Sequence, residues 1–368
     1  MISITSMHLE NFKCFEELNL QMRDLNVFAG INNMGKSTTI QALLLLRQAY
    51  DMGCIMKGLR LNGDIVSLGI GKDVLYRGSK NDSLDISLGC GGYKVGWSYD
   101  YEPNSDFLRL QKTDARENDI SQLSLFSPDF TYISAERLGP QRVYSKSSHQ
   151  VLEKNQAGYR GEFFADYLAE HGLRDKVAND NVVIAGYHNT LIYQMQAWLS
   201  FICPGITLEA ESLQEVGLVK LMFIMNDGYS VEKYSPLNVG FGLSYVAPVV
   251  LSLLKAKPGD LVILENPEAH LHPKGQRKMG ELIAGAASGK VQVVVETHSD
   301  HLLNGIRLAV KRNVICTDDV SLNYFTTKTI NGETVHTVDT PRIRADGSLD
   351  RWPDGFFDEW DKAVMELF

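Results

Sequence analysis

Cysteine is sparse in this chain. The five thiols, Cys14, Cys54, Cys90, Cys203 and Cys316, are scattered, odd in number and never spaced Cys-x-x-Cys. That argues against a disulfide frame or a cysteine zinc site and points to a reducing compartment. No stretch approaches the roughly 18 uninterrupted apolar residues of a membrane span. The start, Met1-Ile2-Ser3-Ile4-Thr5, has no basic segment leading into an apolar run, so a secretory signal is not expected. A basic excess is missing too. Lys and Arg number 36 against 45 Asp and Glu, a formal charge of −9. That balance disfavours a surface built throughout to grip nucleic acid and leaves a local basic groove open. Long heptad runs, internal repeats and low-complexity tails are absent, which excludes an extended coiled coil within these 368 residues. What remains is a cytoplasmic α/β chain, long enough for one large domain or two modest ones.

Patterning supplies the order of elements. Met1 to Leu9 and Leu25 to Ala29 read as strands, the second running into a glycine-bearing loop and then an apolar helix reaching Tyr50. Leu84, Ile86 and Leu88, then Tyr93, Val95, Trp97 and Tyr99, alternate about a glycine-rich turn, a hairpin pattern. The polar stretch 112–127 reads as an exposed loop, Phe130 to Ser134 as a buried strand, and 141–160 as irregular. Helical patterns over 161–172 and 186–202 precede strand-like runs over 206–232. The last third cycles helix and strand: Ser244 to Lys255, Leu261 to Leu264, Pro273 to Ala287, Val291 to Val295, Ser299 to Lys311. Strands alternating with helices of this length imply a parallel sheet with right-handed crossovers.

Within this order, Gly30-Ile31-Asn32-Asn33-Met34-Gly35-Lys36-Ser37 fits G-x-x-x-x-G-K-[ST] in full, between a strand and a helix. Glycines let backbone N–H groups turn inward around phosphate oxygens, and the helix N-terminus adds positive potential. Gly30, Asn32, Asn33, Gly35, Lys36, Ser37 and Thr38 are therefore candidate phosphate-binding residues. Lys36 would reach the β- and γ-phosphates of ATP, and the Ser37 hydroxyl would ligate Mg²⁺. The apolar strand Leu261-Val262-Ile263-Leu264 ends in Glu265, the form of a Walker B strand. Asn266-Pro267-Glu268-Ala269-His270-Leu271-His272-Pro273 follows it, and a further apolar strand ends in Glu296-Thr297-His298-Ser299.

Together with Asn11-Phe12-Lys13-Cys14-Phe15 after the first strand, these motifs resemble those of ABC-class ATPases of the RecF, SMC and overcoming-lysogenisation-defect (OLD) superfamily. The ending Asp350-Arg351-Trp352-Pro353-Asp354-Gly355-Phe356-Phe357-Asp358 resembles an uncharacterised extension on one branch of them. The resemblance implies an α/β ATPase head with a mixed central sheet, an antiparallel β subdomain and a helical insertion. It divides the chain into an N-terminal lobe (1–140), an insertion (141–235), a C-terminal lobe (236–328) and an extension (329–368). It assigns Glu265 to Mg²⁺, His298 to sensing the γ-phosphate, residues 269–272 to a D-loop that meets a partner subunit, and Lys13 to the nucleotide. Gln141 is either a Q-loop residue near the metal or an ordinary surface glutamine.

Two positions depart from the pattern. Relatives place a catalytic glutamate directly after the Mg²⁺ acid, where this chain has Asn266, which can hydrogen-bond a water but cannot take its proton. Slow hydrolysis is the expectation, with Glu268 the obvious substitute. The Leu-Ser-Gly-Gly signature is replaced by Asn238-Val239-Gly240-Phe241-Gly242-Leu243-Ser244. Gly240, Gly242 and Ser244 read either as a signature that cradles a partner's γ-phosphate or as a loop with Ser244 as helix cap.

Other features take plainer readings. Tyr193, Trp198 and Phe201 read as core packing rather than base stacking, and Arg307, Lys311 and Arg312 as partners of a helix dipole rather than of phosphates. Trp352, Phe356 and Phe357 read as docking the tail or as a partner patch. The implied function is a Mg-ATP switch that dimerises head to tail around ATP, forming a homodimer or higher oligomer. It would control a DNA-related process, anti-phage defence or repair, through a separate effector such as a nuclease or toxin. DNA itself is a candidate partner, a membrane is not, and no nuclease activity is expected of the chain alone. The alternative is a nucleotide-gated scaffold with little turnover.

Overall fold

Six consecutive residues that are nearly all apolar, Leu25–Gly30, form the strand that delivers the glycine loop to the helix Lys36–Asp51. The computed structural model describes residues 1–226, 230–330, 332–353, 355–356 and 364–367. Two units make up the chain. The first comprises Met1–Ser127, Ser321–Arg342 and Arg351–Phe368. In it a six-stranded antiparallel sheet runs, edge to edge, Phe15–Gln21, Ile4–Phe12, Ser83–Cys90, Tyr93–Asp100, Phe107–Thr113 and Gly58–Arg60. The period-two pattern is realised: Leu84, Ile86 and Leu88 pair with Tyr99, Trp97 and Val95, and all six are buried. Alongside Leu25–Gly30 lies Val320–Ile330, paired antiparallel with Glu333–Asp339.

The second unit comprises Pro128–Val320 and Ile343–Asp350. Leu261–Glu265 lies between Thr131–Ile133 and Gln292–Glu296, parallel to both, with Glu265 in register with Glu296. Helices Phe241–Lys255, Pro273–Ser288 and Asp300–Lys311 alternate with these strands, as the crossover argument requires. A second antiparallel sheet pairs Ile206–Leu213, Leu218–Asn226 and Val231–Tyr234, with Tyr144–Ser145 against Leu218 and Val219. Helices Phe164–His171 and Leu191–Ile202 belong to the same unit.

Several sequence readings need correction. The strand Phe15–Gln21 was not expected, because its alternation is interrupted by paired acids. Residues 112–127 are not an exposed loop. Ile120, Leu123, Leu125 and Phe126 are buried, and Phe126 meets Trp97 edge-on at 6.3 Å. Trp198 is core, its indole N–H donating to the Val182 carbonyl, whereas Tyr193 and Phe201 are exposed. The helix expected from Ser244 begins at Phe241 with Gly240 as its cap, and Ser244 is fully buried one turn in. Arg307 is tied by hydrogen bonds, its Nε donating to the Gly347 carbonyl and its Nη1 to Asn304. In the tail, Phe356 is buried edge-on against Tyr324 and Trp352 is exposed. Asp354, Phe357 and Asp358 lie outside the described residues.

Candidate functional site: a phosphate loop and an acidic strand end

The phosphate loop is held by backbone that only glycine can supply. Gly30 has φ 139, and a Cβ there would sit 2.3 Å from the Phe325 carbonyl oxygen. Gly35 has φ 106, and a Cβ there would sit 2.2 Å from the Phe15 ring and 3.0 Å from Cys14 Sγ. Phe15 thus forms the floor under the loop, which is why the unforeseen second strand matters. Gly35 is the N-cap of Lys36–Asp51, and no side-chain hydrogen bond of that residue caps the helix. The first turn carries no acid, so no carboxylate of that turn offsets the positive end of the helix.

Lys36 is buried, and its Nζ donates to the carbonyls of Gly30 at 3.0 Å and Ile31 at 2.9 Å. The ammonium is tied across the loop it serves. Asn32, Asn33 and Ser37 are exposed, and Asn33 adopts a left-handed φ of 66. Lys13, also left-handed at φ 52, donates its Nζ to Gln41 at 2.7 Å on the first turns of the same helix. Burial pulls the Lys13 ammonium below its ordinary value. With Cys14, Tyr76, Arg77, Thr334 and His336 it lines a cavity of about 470 Å³.

In the second unit, the acidic strand end is a wired structure. Glu265 Oε2 accepts the Ala135 backbone N–H at 3.0 Å, and burial pushes its carboxyl up while that bond and the Tyr132 hydroxyl pull it down. Arg137, 3% exposed, donates to three carbonyls: Ser134 at 2.9 Å, Glu265 at 2.7 Å and Asn266 at 2.6 Å. Asn266 sits at φ 45, a left-handed conformation that asparagine tolerates better than glutamate does, and its N–H donates to the Glu296 carbonyl at 2.9 Å. Glu268 is buried, and its Oε1 accepts from Thr297 Oγ1 at 2.7 Å and from the His298 N–H at 3.1 Å. Burial pushes its carboxyl up. His298 is exposed. Parallel registration therefore brings Glu265, Asn266, Glu268 and His298 to one sheet end.

The segment in the signature position is tied to the same end. A Cβ on Gly242 would sit 2.7 Å from the His270 carbonyl oxygen, and Tyr245 lies 4.7 Å, ring to ring, from His270. Around Gly240 there is open space, so the helix start stays approachable there, while Ser244 is turned inward. The Gln141 amide turns back onto the Gly139 carbonyl of its own segment.

Residues 25–304 match a family model described as an AAA domain, putative AbiEii toxin, Type IV TA system. The chain belongs to that AAA family. A second model, a protein of unknown function (DUF3696), matches residues 315–367. No curated protein sequence matches. Among solved structures, the SMC head bound to the C-winged helix domain of ScpA aligns over 92% of this chain and 98% of its own, at 12% identity and a TM-score of 0.54. An Smc head domain with an extended coiled coil, bound to the C-terminal domain of ScpA and derived from Pyrococcus furiosus, covers 100% of both chains at 12% identity and a TM-score of 0.52. These likenesses show the fold, that of an SMC-type ATPase head. Family and fold together make this a P-loop nucleotide-binding ATPase of the ABC type.

For this AAA-family chain the donor set fits the nucleotide and metal that the family implies. In the first unit a glycine-shaped loop, a helix N-terminus and an ammonium suit phosphate; in the second unit, taken by itself, the Glu265 carboxylate is a hard oxygen ligand of the kind suited to Mg²⁺. Sequence reasoning assigned no role to Arg137, Thr297 or Phe15. An arginine beside Glu136 carries no local sign that its targets lie 128 and 129 positions away. Phe15 could have been found from the Phe-Lys-Cys-Phe run, whose second aromatic has no reason to be exposed.

Proposed function

We propose that the chain is a Mg-ATP-driven switch that closes as a head-to-tail dimer. Gly30 to Thr38 and Lys13 bind the nucleotide, and Ser37 and Glu265 hold Mg²⁺. His298 senses the γ-phosphate, and the Gly240–Gly242 backbone of the second copy completes the site. The observation that carries this reading is the phosphate loop: Gly35 at φ 106 heading the helix, with Lys36 folded across the loop carbonyls. ATP can drive closure only through a differential affinity for the closed state, so the output must be another surface or another protein. The description of the family as a putative toxin of a toxin–antitoxin system supports a defence setting, and the separate effector is part of the proposal. DNA repair through such an effector is the other output of the same switch.

Asn266 favours a second reading of the same site, a nucleotide-gated scaffold with little turnover. Its left-handed backbone is occupied by Arg137 and Glu296, and its amide cannot accept the proton of an attacking water. Light scattering with and without Mg-ATP tests the switch: the mass should double with nucleotide, and an unchanged monomer would sink the dimer. Multiple-turnover phosphate release then separates switch from scaffold.

A further inference from the structure

Glu268 is the carboxylate closest in sequence to the metal acid Glu265, and its surroundings are those of a clamp. Oε1 is occupied twice, by the Thr297 hydroxyl at 2.7 Å and the His298 N–H at 3.1 Å. Thr297 is fully buried, and its hydroxyl, having donated to Glu268, accepts the Ser299 N–H at 3.0 Å. Ser299 in turn caps Asp300–Lys311, accepting the Leu302 N–H at 3.0 Å, and donates to Gln276 at 2.5 Å. One carboxylate oxygen therefore begins a chain that fixes three consecutive residues, 297–299, and the helix behind them.

The other oxygen, Oε2, is buried with no hydrogen-bond partner among the described residues, and the residue is 6% exposed. A general base needs a lone pair that water can reach in line with the substrate. Glu268 offers one oxygen already shared and one sealed in, whereas His298 beside it is an exposed residue.

We propose that Glu268 is a positioning residue that fixes the main chain of His298, and through it the aim of the imidazole, and is not the base that replaces the missing catalytic glutamate. The aim at a nucleotide rests on the proposed ATP site; the clamp itself does not.

The two roles demand different chemistry. A clamp needs only an acceptor oxygen, which the glutamine carbonyl also supplies; a base needs a carboxylate. Two readouts on the full chain separate them. Amide hydrogen exchange at His298 should rise about tenfold or more in E268A and stay within about threefold of wild type in E268Q. Steady-state ATP hydrolysis should follow the same order, with kcat reduced about tenfold or more in E268A, largely recovered in E268Q, and KM little changed in both. T297V, nearly isosteric and lacking the hydroxyl, should fall between them and serves should E268A fold poorly.

If E268Q abolishes turnover while His298 protection stays intact, Glu268 is the base and the proposal is overturned. Unchanged His298 exchange in E268A or T297V overturns the clamp. Should wild type neither bind nor hydrolyse ATP, the ATP-site reading fails, and the exchange measurement still decides the clamp.

Discussion

Arg137 and Asn266 are joined across 129 positions by a 2.6 Å hydrogen bond from the guanidinium to the carbonyl that follows Glu265. The same guanidinium holds the Glu265 and Ser134 carbonyls, so one buried side chain fixes the backbone on both sides of the acidic strand end. Removing it takes one donor from each of three carbonyls, of which that of Asn266 keeps the Ala269 N–H at 3.1 Å. We expect R137A to cost about 3 kcal/mol of stability in a denaturant titration. R137K, whose single ammonium cannot match the planar fork, should recover less than half of that.

Gly35 can be separated from an ordinary left-handed glycine. G35A places a Cβ 2.2 Å from the Phe15 ring at φ 106 and should weaken ATP binding at least about tenfold by titration, with the helix content by circular dichroism retained. Gly53, at φ 66 with nothing within 4 Å, is the control. G53A should cost about 1 kcal/mol of stability and leave ATP binding unaltered.

Gly242 and Gly240 form a second contrast. G242A drives a Cβ to 2.7 Å from the His270 carbonyl and should lower stability by about 1–3 kcal/mol. G240A points into open space at φ −57 and loses only a glycine N-cap, so it should cost at most about 1 kcal/mol and less than G242A. Equal effects in thermal melts would mean that the helix start does not pack on residue 270.

Lys255 gives a pH signature. Its ammonium donates to the Asn155 carbonyl at 2.8 Å and lies over the Tyr167 ring, facing Asp129 and Asp260. Burial lowers its pKa to about 8. Because the folded value lies below that of the unfolded chain, the unfolded chain binds more protons between roughly pH 8 and 10, and stability from this group rises with pH across that window. Below it the penalty is fully present. The stability of wild type minus that of K255M should therefore climb by about 2–3 kcal/mol from pH 8 to 10, with other titrating groups cancelling. A flat difference would show that Lys255 titrates normally.

What could be read from the sequence was what is contiguous. The phosphate loop fits within eight residues, and the strands ending at Glu265 and Glu296 carry four and three consecutive apolar residues before the acid. Their parallel pairing follows from the helix between them. Illegible were features whose cause lies far along the chain. Arg137 meets its carbonyls only after the sheet has formed. Leu123, Leu125 and Phe126 are buried inside a stretch whose average composition is polar. Ser244 could be read as part of a signature or as a helix cap, and the helix starts earlier, at Phe241 with Gly240 as its cap, leaving Ser244 buried one turn in. At Asn266 the residue type is the visible departure; the left-handed backbone that suits it is not.

The central claim is that the Gly30–Ser37 loop binds the phosphates of ATP. Calorimetric titration of the wild-type chain and K36A with Mg-ATP tests it directly. The account predicts one ATP bound per wild-type chain and none by K36A at the same concentrations. A wild-type chain that takes up no nucleotide, or a K36A chain that binds it equally well, would contradict it.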